Sequence, residues 1–274
     1  MRRALVLILG CLAVTACPRR KQPERGYEFV FTKTGDVRPV IEKRLAQLGV
    51  VARITDDDRS ITIRIPDLDS RADTSALVQV LTLPAKLEFC PEAVPVAGTF
   101  CAVDAGVEVL AEEGERRDCA LQSPDAKRLL TLTQDASVPG RVLVGGMMPD
   151  GPLRTFIAEA ECQAPRLMEA EVKPEPNTGR KQLALLFDAP SATKFADLTA
   201  KVVGRRLLIV LDGRVQSAPI VRESITGGRA MISFGMQSSD DEVKRLSMAL
   251  AGGALPSPVT LEKEGWYGPP SLLK

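Results

Sequence analysis

The residues best equipped for chemistry are Ser191 and Lys194, spaced as S-x-x-K, and Lys33-Thr34-Gly35, which reads as K-T-G. Together these would suit serine acyl transfer with lysine as the base. In such enzymes, however, the nucleophile motif comes first and an S-x-N element lies between the two. Here K-T-G leads and no S-x-N intervenes, so Ser191 reads as a helix-start residue after Pro190, and Lys194 as solvated. The chain has no histidine, which removes Ser-His-Asp and Cys-His activation and imidazole metal ligation. Asp56-Asp57-Asp58 lacks the spaced oxygens, central glycine and distal glutamate of a calcium loop, so it reads as a solvated hairpin tip. Gly145-Gly146, Gly227-Gly228 and Gly252-Gly253 lack the G-x-G-x-x-G context of a dinucleotide site and read as turns and caps. With 36 basic against 35 acidic residues, there is no cationic excess for nucleic acid. Neither a catalytic residue, a metal site nor a cofactor is expected, and the composition points to a module that binds or positions.

Arg2 and Arg3 precede an apolar or small stretch from Ala4 to Ala16, too short to span a hydrocarbon core and suited to a signal peptide over 1–16. Val14-Thr15-Ala16-Cys17 resembles the lipobox of bacterial lipoproteins. That resemblance implies cleavage before Cys17, its acylation (palmitate among the chains), and a tether over 17–26. The alternatives are a secreted protein cut nearby or a short anchor helix with an incidental cysteine. Pro18 in place of aspartate after Cys17 slightly favours the outer over the inner membrane. Cys90, Cys101, Cys119 and Cys162 then form an even set, suited to two disulfides in an exported chain. Three pairings are possible. Cys90 with Cys101 and Cys119 with Cys162 is favoured, because the first closes a short Pro/Gly-containing loop.

The elements needed to position these residues are legible from Tyr27 onward. Tyr27, Phe29 and Phe31 alternate as a strand, and Asp36 offers an N-cap. Val37, Val40, Ile41, Leu45 and Leu48 follow at helical spacing to Gly49. Val50 to Thr55 and the run Ile61, Ile63, Ile65 predict a hairpin around the aspartates. A helix carrying Ala76, Leu77, Val80 and Leu81 ends at Pro84, and Ala85 to Cys90 predicts a further strand. The order βαββαβ is that of a ferredoxin-like unit over 27–90. From Pro91 to about Gly179 the periodicity weakens and prolines multiply, as in an insertion partly held by disulfides. Within it, Ser123 to Leu132 predicts a short helix and Arg141 to Val144 a strand. Beyond it come a strand over Gln182 to Phe187 and a helix through Phe195, Leu198 and Val202. Asp212-Gly213 predicts a tight hairpin and Gly227-Gly228 a second turn. Ser239 with Glu242 forms a capping box for a last helix, and Pro258 to Glu262 a final strand. The fold class is α+β.

Two stretches carry a family likeness. Leu207 to Arg229, LLIVLDGRVQSAPIVRESITGGR, and Leu246 to Pro258, LSMALAGGALPSP, resemble the first large periplasmic domain of SecD, the accessory subunit of bacterial preprotein translocation. The residues carrying the likeness, Asp212, Gly213, Ser217, Ala218, Pro219, Gly227 and Gly228, read as turn formers in their own right. The resemblance implies a base over 27–90, an inserted head over 91–257, and a return strand with tail over 258–274. An α+β head can offer an apolar groove or an open sheet edge, which suits contact with unfolded or emerging exported polypeptides, or docking on a translocase or envelope protein, with Cys17 as the lipid anchor facing the periplasm. The proton-driven membrane part of the family is not carried over to this chain acting alone. An alternative is an envelope lipoprotein that keeps the fold in a structural or interaction role.

Overall fold

The computed structural model describes residues 25–68, 74–93, 108–111, 119–134, 138, 140–148, 151–176, 179, 181–234 and 238–268. In chain order the first elements are β1 (Gly26–Lys33), α1 (Arg38–Gln47), β2 (Arg53–Asp56), β3 (Ser60–Pro66) and α2 (Ser75–Thr82). There follow β4 (Leu87–Pro91), β5 (Glu108–Ala111), β6 (Cys119–Gln122), α3 (Ala126–Leu132), β7 (Arg141–Gly145) and β8 (Arg154–Ala158). The remainder comprises β9 (Leu167–Pro174), β10 (Lys181–Phe187), α4 (Ala189–Lys201), β11 (Leu207–Leu211), β12 (Arg214–Ser217), β13 (Arg229–Ser233), α5 (Asp240–Gly252) and β14 (Val259–Tyr267).

Side-chain alternation builds the first layer. Phe29 and Phe31 on β1 and Ile61 and Ile63 on β3 point the same way and are fully buried, because Ile41 and Leu45 of α1 and Leu81 of α2 cover that face. The α1 cap lies one residue later than expected, at Val37, with Asp36 accepting from the Arg38 N–H at 3.2 Å. The four-stranded antiparallel sheet runs β14-β1-β3-β2.

The ferredoxin-like arrangement is therefore present, but its last strand is not the expected one. Ala85 to Cys90 was to close this sheet; instead β4 lies beside β11 at the end of a seven-stranded sheet, β4-β11-β12-β7-β8-β6-β5. The burial of β4 explains the difference. All five of its residues are buried, with Leu87 and Phe89 entering one core and Cys90 another. Such a strand needs cover on both faces, whereas β14 buries little beyond Val259 and suits the edge beside β1.

The larger core lies between one face of β4 and β11 and the three-stranded sheet β13-β10-β9, with α4 and α5 packed in. Phe89, Phe187 and Phe195 meet edge-on at its centre, with ring centroids 4.8–5.8 Å apart. On the other face, the end of β4 reaches β8. The Ala93 N–H donates to the Ile157 carbonyl at 2.8 Å, and the Glu159 N–H to that of Pro91 at 2.9 Å. Five strands of the sheet so come round on themselves about Cys90, Leu143, Phe156, Leu208, Val210 and Val215.

A disulfide joins Cys90 to Cys162 across this closure, replacing both expected pairs. Bringing β4 against the chain that leaves β8 sets these two sulfurs together, despite a sequence separation of 72. Cys119 opens β6, opposite Ala111, while Cys101 and Cys17 lie outside the described residues. Among the described residues no helix is long and apolar enough to cross a membrane.

Candidate functional site

The residues singled out in the sequence occupy two places. Asp212 and Gly213 form the β11–β12 turn with φ of 51° and 79°, the left-handed pair that a twisted two-residue hairpin requires. Asp212 has a second task. Its carboxylate accepts from the Lys86 N–H at 2.7 Å, and its own N–H donates to the Lys86 carbonyl at 2.9 Å, fastening the turn to the segment between α2 and β4. Ser217, Ala218 and Pro219 lead out of β12. Ala218 is buried inside the closed sheet with its N–H on the Met147 carbonyl, and the Pro219 carbonyl accepts from Leu207.

Gly227 and Gly228 deliver the chain to β13. Gly228 has φ +61°, and a Cβ there would lie 2.7 Å from that of Ala192 on α4, so the turn passes the helix only as glycine. The Phe187 N–H donates to the Gly228 carbonyl at 2.9 Å, and the Phe234 N–H to that of Lys181 at 3.0 Å. These two bonds set the alternation in between. Ala230 and Ile232 face β10, while Arg229, Met231 and Ser233 turn their N–H and C=O groups outward. Among the described residues no strand lies beyond β13. The opposite edge of this sheet is approached by α5, whose Ser247 hydroxyl donates to the Ala170 carbonyl at 2.6 Å. The sheet face away from the core carries Ala184, Leu186 and Met231, the last of these 46% exposed, between Glu169, Glu171 and Arg229. An outward row of backbone donors and acceptors beside a small apolar face can pair with an extended chain of almost any sequence.

Sequence reasoning missed Arg44. Its side chain is fully buried where two connections pass between the four-stranded sheet and the rest of the molecule. One guanidinium nitrogen donates to Val80, Leu81 and Leu83 carbonyls at 2.7, 3.3 and 2.6 Å; the other reaches Pro84 at 3.4 Å and Gly253 at 2.7 Å. Gly252 lies against its stem, where a Cβ would overlap Arg44 Cγ. Burial pulls this guanidinium down to about 10, against the opposing charge of Asp212. It therefore stays cationic near neutrality. Only the positive charge among the apolar positions of α1 hints at this role in the sequence.

Of the acyl-transfer candidates, Ser191 and Lys33 have local partners, and Lys194 is exposed on α4. Ser191 Oγ accepts from the Arg166 N–H at 2.9 Å, and the Ser191 N–H caps α4 on Asp188. Lys33, at the end of β1, donates to Gly35 within its own turn. Asp57 holds the hairpin tip through the N–H groups of Arg59 and Ser60, and Asp56 pairs with Arg38 at 2.9 Å.

Residues 153–257, spanning β8 to the segment after α5, match the family description "SecDF, P1 head subdomain". The protein translocase subunit SecD of Desulfurispirillum indicum is 42% identical over 106 residues, covering 38% of this chain and 20% of that protein. SecDF of Thermus thermophilus is 29% identical over 234 residues, 85% of this chain and 28% of the relative. The fold resembles that of SecDF in its super-membrane-facing form, with TM-score 0.60 and 23% identity over 93% of this chain and 32% of that one.

Over these residues the chain is SecD-like.

A second solved structure, of a membrane component SecDF that enhances protein export, has TM-score 0.56 and 24% identity, and 98% of it is covered. Both likenesses are of fold, and the α+β class agrees with them. The chain spans less than a third of either named relative's length. The SecD-like match takes in Asp212, Gly213, Gly227, Gly228 and the whole β13 edge.

Proposed function

We propose that this SecD-like module takes part in protein translocation as a non-catalytic holder of extended, exported polypeptide, facing the periplasm and working beside a Sec translocase. On this reading residues 1–16 are a signal peptide and acylated Cys17 moors the folded part to the membrane. The observation that carries the reading is the outward edge of β13. Arg229, Met231 and Ser233 offer backbone pairing independent of side-chain sequence, which suits a site serving many different clients. Its likeness to proteins named as translocase subunits supports the same task.

The test is a photo-crosslinking amino acid at Met231 in cells. Exported precursors should be captured there, and Met231→Pro should reduce their capture when the crosslinker is moved to Ser233. Because the Met231 N–H points away from β10, proline removes an outward donor without breaking a ladder bond. Capture of one constant envelope protein in place of precursors would favour the structural lipoprotein instead. Fatty-acid labelling that survives Cys17→Ala would overturn the anchor.

A further inference from the structure

A groove of about 350 Å³ lies where the four-stranded sheet's helices meet the larger core, beside the two connections that Arg44 joins. Val40 of α1, Leu87 of β4 and Leu250 of α5 supply apolar lining, while Lys43, Lys86 and Arg166 supply the charged lining. Among the described residues no carboxylate lines it. Three acids lie close to its rim and each has a second partner. Glu88 is 3.3 Å from Lys86 and the same distance from Arg141, Asp212 accepts from the Lys86 N–H at 2.7 Å in the β11–β12 turn, and Asp188, within charge range of Arg166, caps α4 through Ser191. Lys43 has no ion-pair partner among the described residues, and the three cations belong to three separate segments that the fold brings to one opening.

From this juxtaposition we propose that the groove takes a short acidic and apolar segment of polypeptide, its carboxylates meeting Lys43, Lys86 and Arg166 and its side chains resting on Val40, Leu87 and Leu250. The occupant is a passing client, not a folded partner. At about 350 Å³ the groove has the dimensions of a small-ligand site, room for a few side chains of an extended chain. This rests on the polypeptide-holding reading above, but uses a different surface and a different chemistry. Pairing along β13 is indifferent to sequence, whereas this groove selects for negative charge.

The experiment uses the full chain and fluorescein-labelled synthetic peptides alternating leucine with glutamate, lysine or serine, read by anisotropy. The glutamate peptide should bind more tightly than the other two, and its affinity should fall steeply as salt rises, because the contacts are exposed ion pairs. Lys43→Glu with Arg166→Glu should weaken it about tenfold or more. Lys43→Gln with Arg166→Gln, which replaces two exposed side chains by neutral ones, should weaken it less but in the same direction. Equal binding of the lysine peptide, or unchanged affinity in both double variants, would overturn the proposal. So would sedimentation showing that the groove is filled by a second copy of the chain, released by the charge reversal. Met231→Pro should leave glutamate-peptide binding intact. If that variant alone abolishes it, the peptide sits on β13 and the groove is excluded. Failure of precursor capture at β13 with glutamate-peptide selectivity retained would instead count against the edge reading.

Discussion

Arg44 illustrates how a single buried cation can hold a junction together. Its fork satisfies carbonyls from the end of α2, from the outgoing connection and from the returning one, so removing it strands several buried acceptors at once. Arg44→Met is expected to cost roughly 3 kcal/mol, with Arg44→Lys recovering only part of the loss because ammonium lacks the planar fork. Chemical denaturation of the three proteins checks this. Exposed carboxylates make a different, pH-dependent contribution. Side-chain and backbone bonds from Ser191 hold Asp188 below its ordinary value, and bonds from Ser239 do the same for Glu242. A carboxyl depressed by folding adds stability that is complete above its ordinary range and is lost as pH falls through the depressed value. Melting temperature should therefore drop on acidification below about pH 4, and Asp188→Asn with Glu242→Gln should shallow that drop. The capping box of Ser239 and Glu242 was legible because its meaning is local, and so was Asp212-Gly213 as a turn. Arg44 was not, since its partners lie as far away as Gly253.

Elements with one buried face were also legible. The alternation of Ile61, Ile63 and Ile65 and the helical spacing of Phe195, Leu198 and Val202 appear in the structure where their periods place them. β9 was missed because Met168, Glu169, Glu171 and Lys173 are all exposed, leaving Leu167 as its one buried side chain. β4 was recognised as a strand but assigned to the wrong sheet, since a run buried on both sides says nothing about which neighbour it pairs with. The β13 edge depends on how its entry turn passes α4. Gly228→Val, adding a branched side chain at positive φ against Ala192, should cost about 2 kcal/mol and also diminish capture at Ser233. Comparing denaturation midpoints with crosslinking yields would separate this double effect from simple instability, which a core substitution of equal cost such as Leu129→Ala reproduces without touching β13.

At the scale of the whole molecule, the Cys90–Cys162 bond ties β4 to the chain leaving β8, holding shut the region where the seven-stranded sheet curves onto itself. Its loop of 72 residues gives a stabilisation of about 4 kcal/mol by restriction of the unfolded chain. Reduction, or Cys162→Ser, should lower the denaturant midpoint accordingly, and mass mapping of the oxidised protein should recover Cys90 joined to Cys162.

The pairing of β1 with β14 has a consequence for biogenesis. Gly26 meets Tyr267 and Lys33 meets Val259, so the earliest described strand waits for the latest before its edge is sealed. Everything between must first be synthesised and collapse by itself, while β1 keeps an unpaired, sticky flank. Such long-range closure is slow, and a nascent copy passes through an interval in which it resembles the clients it is proposed to hold.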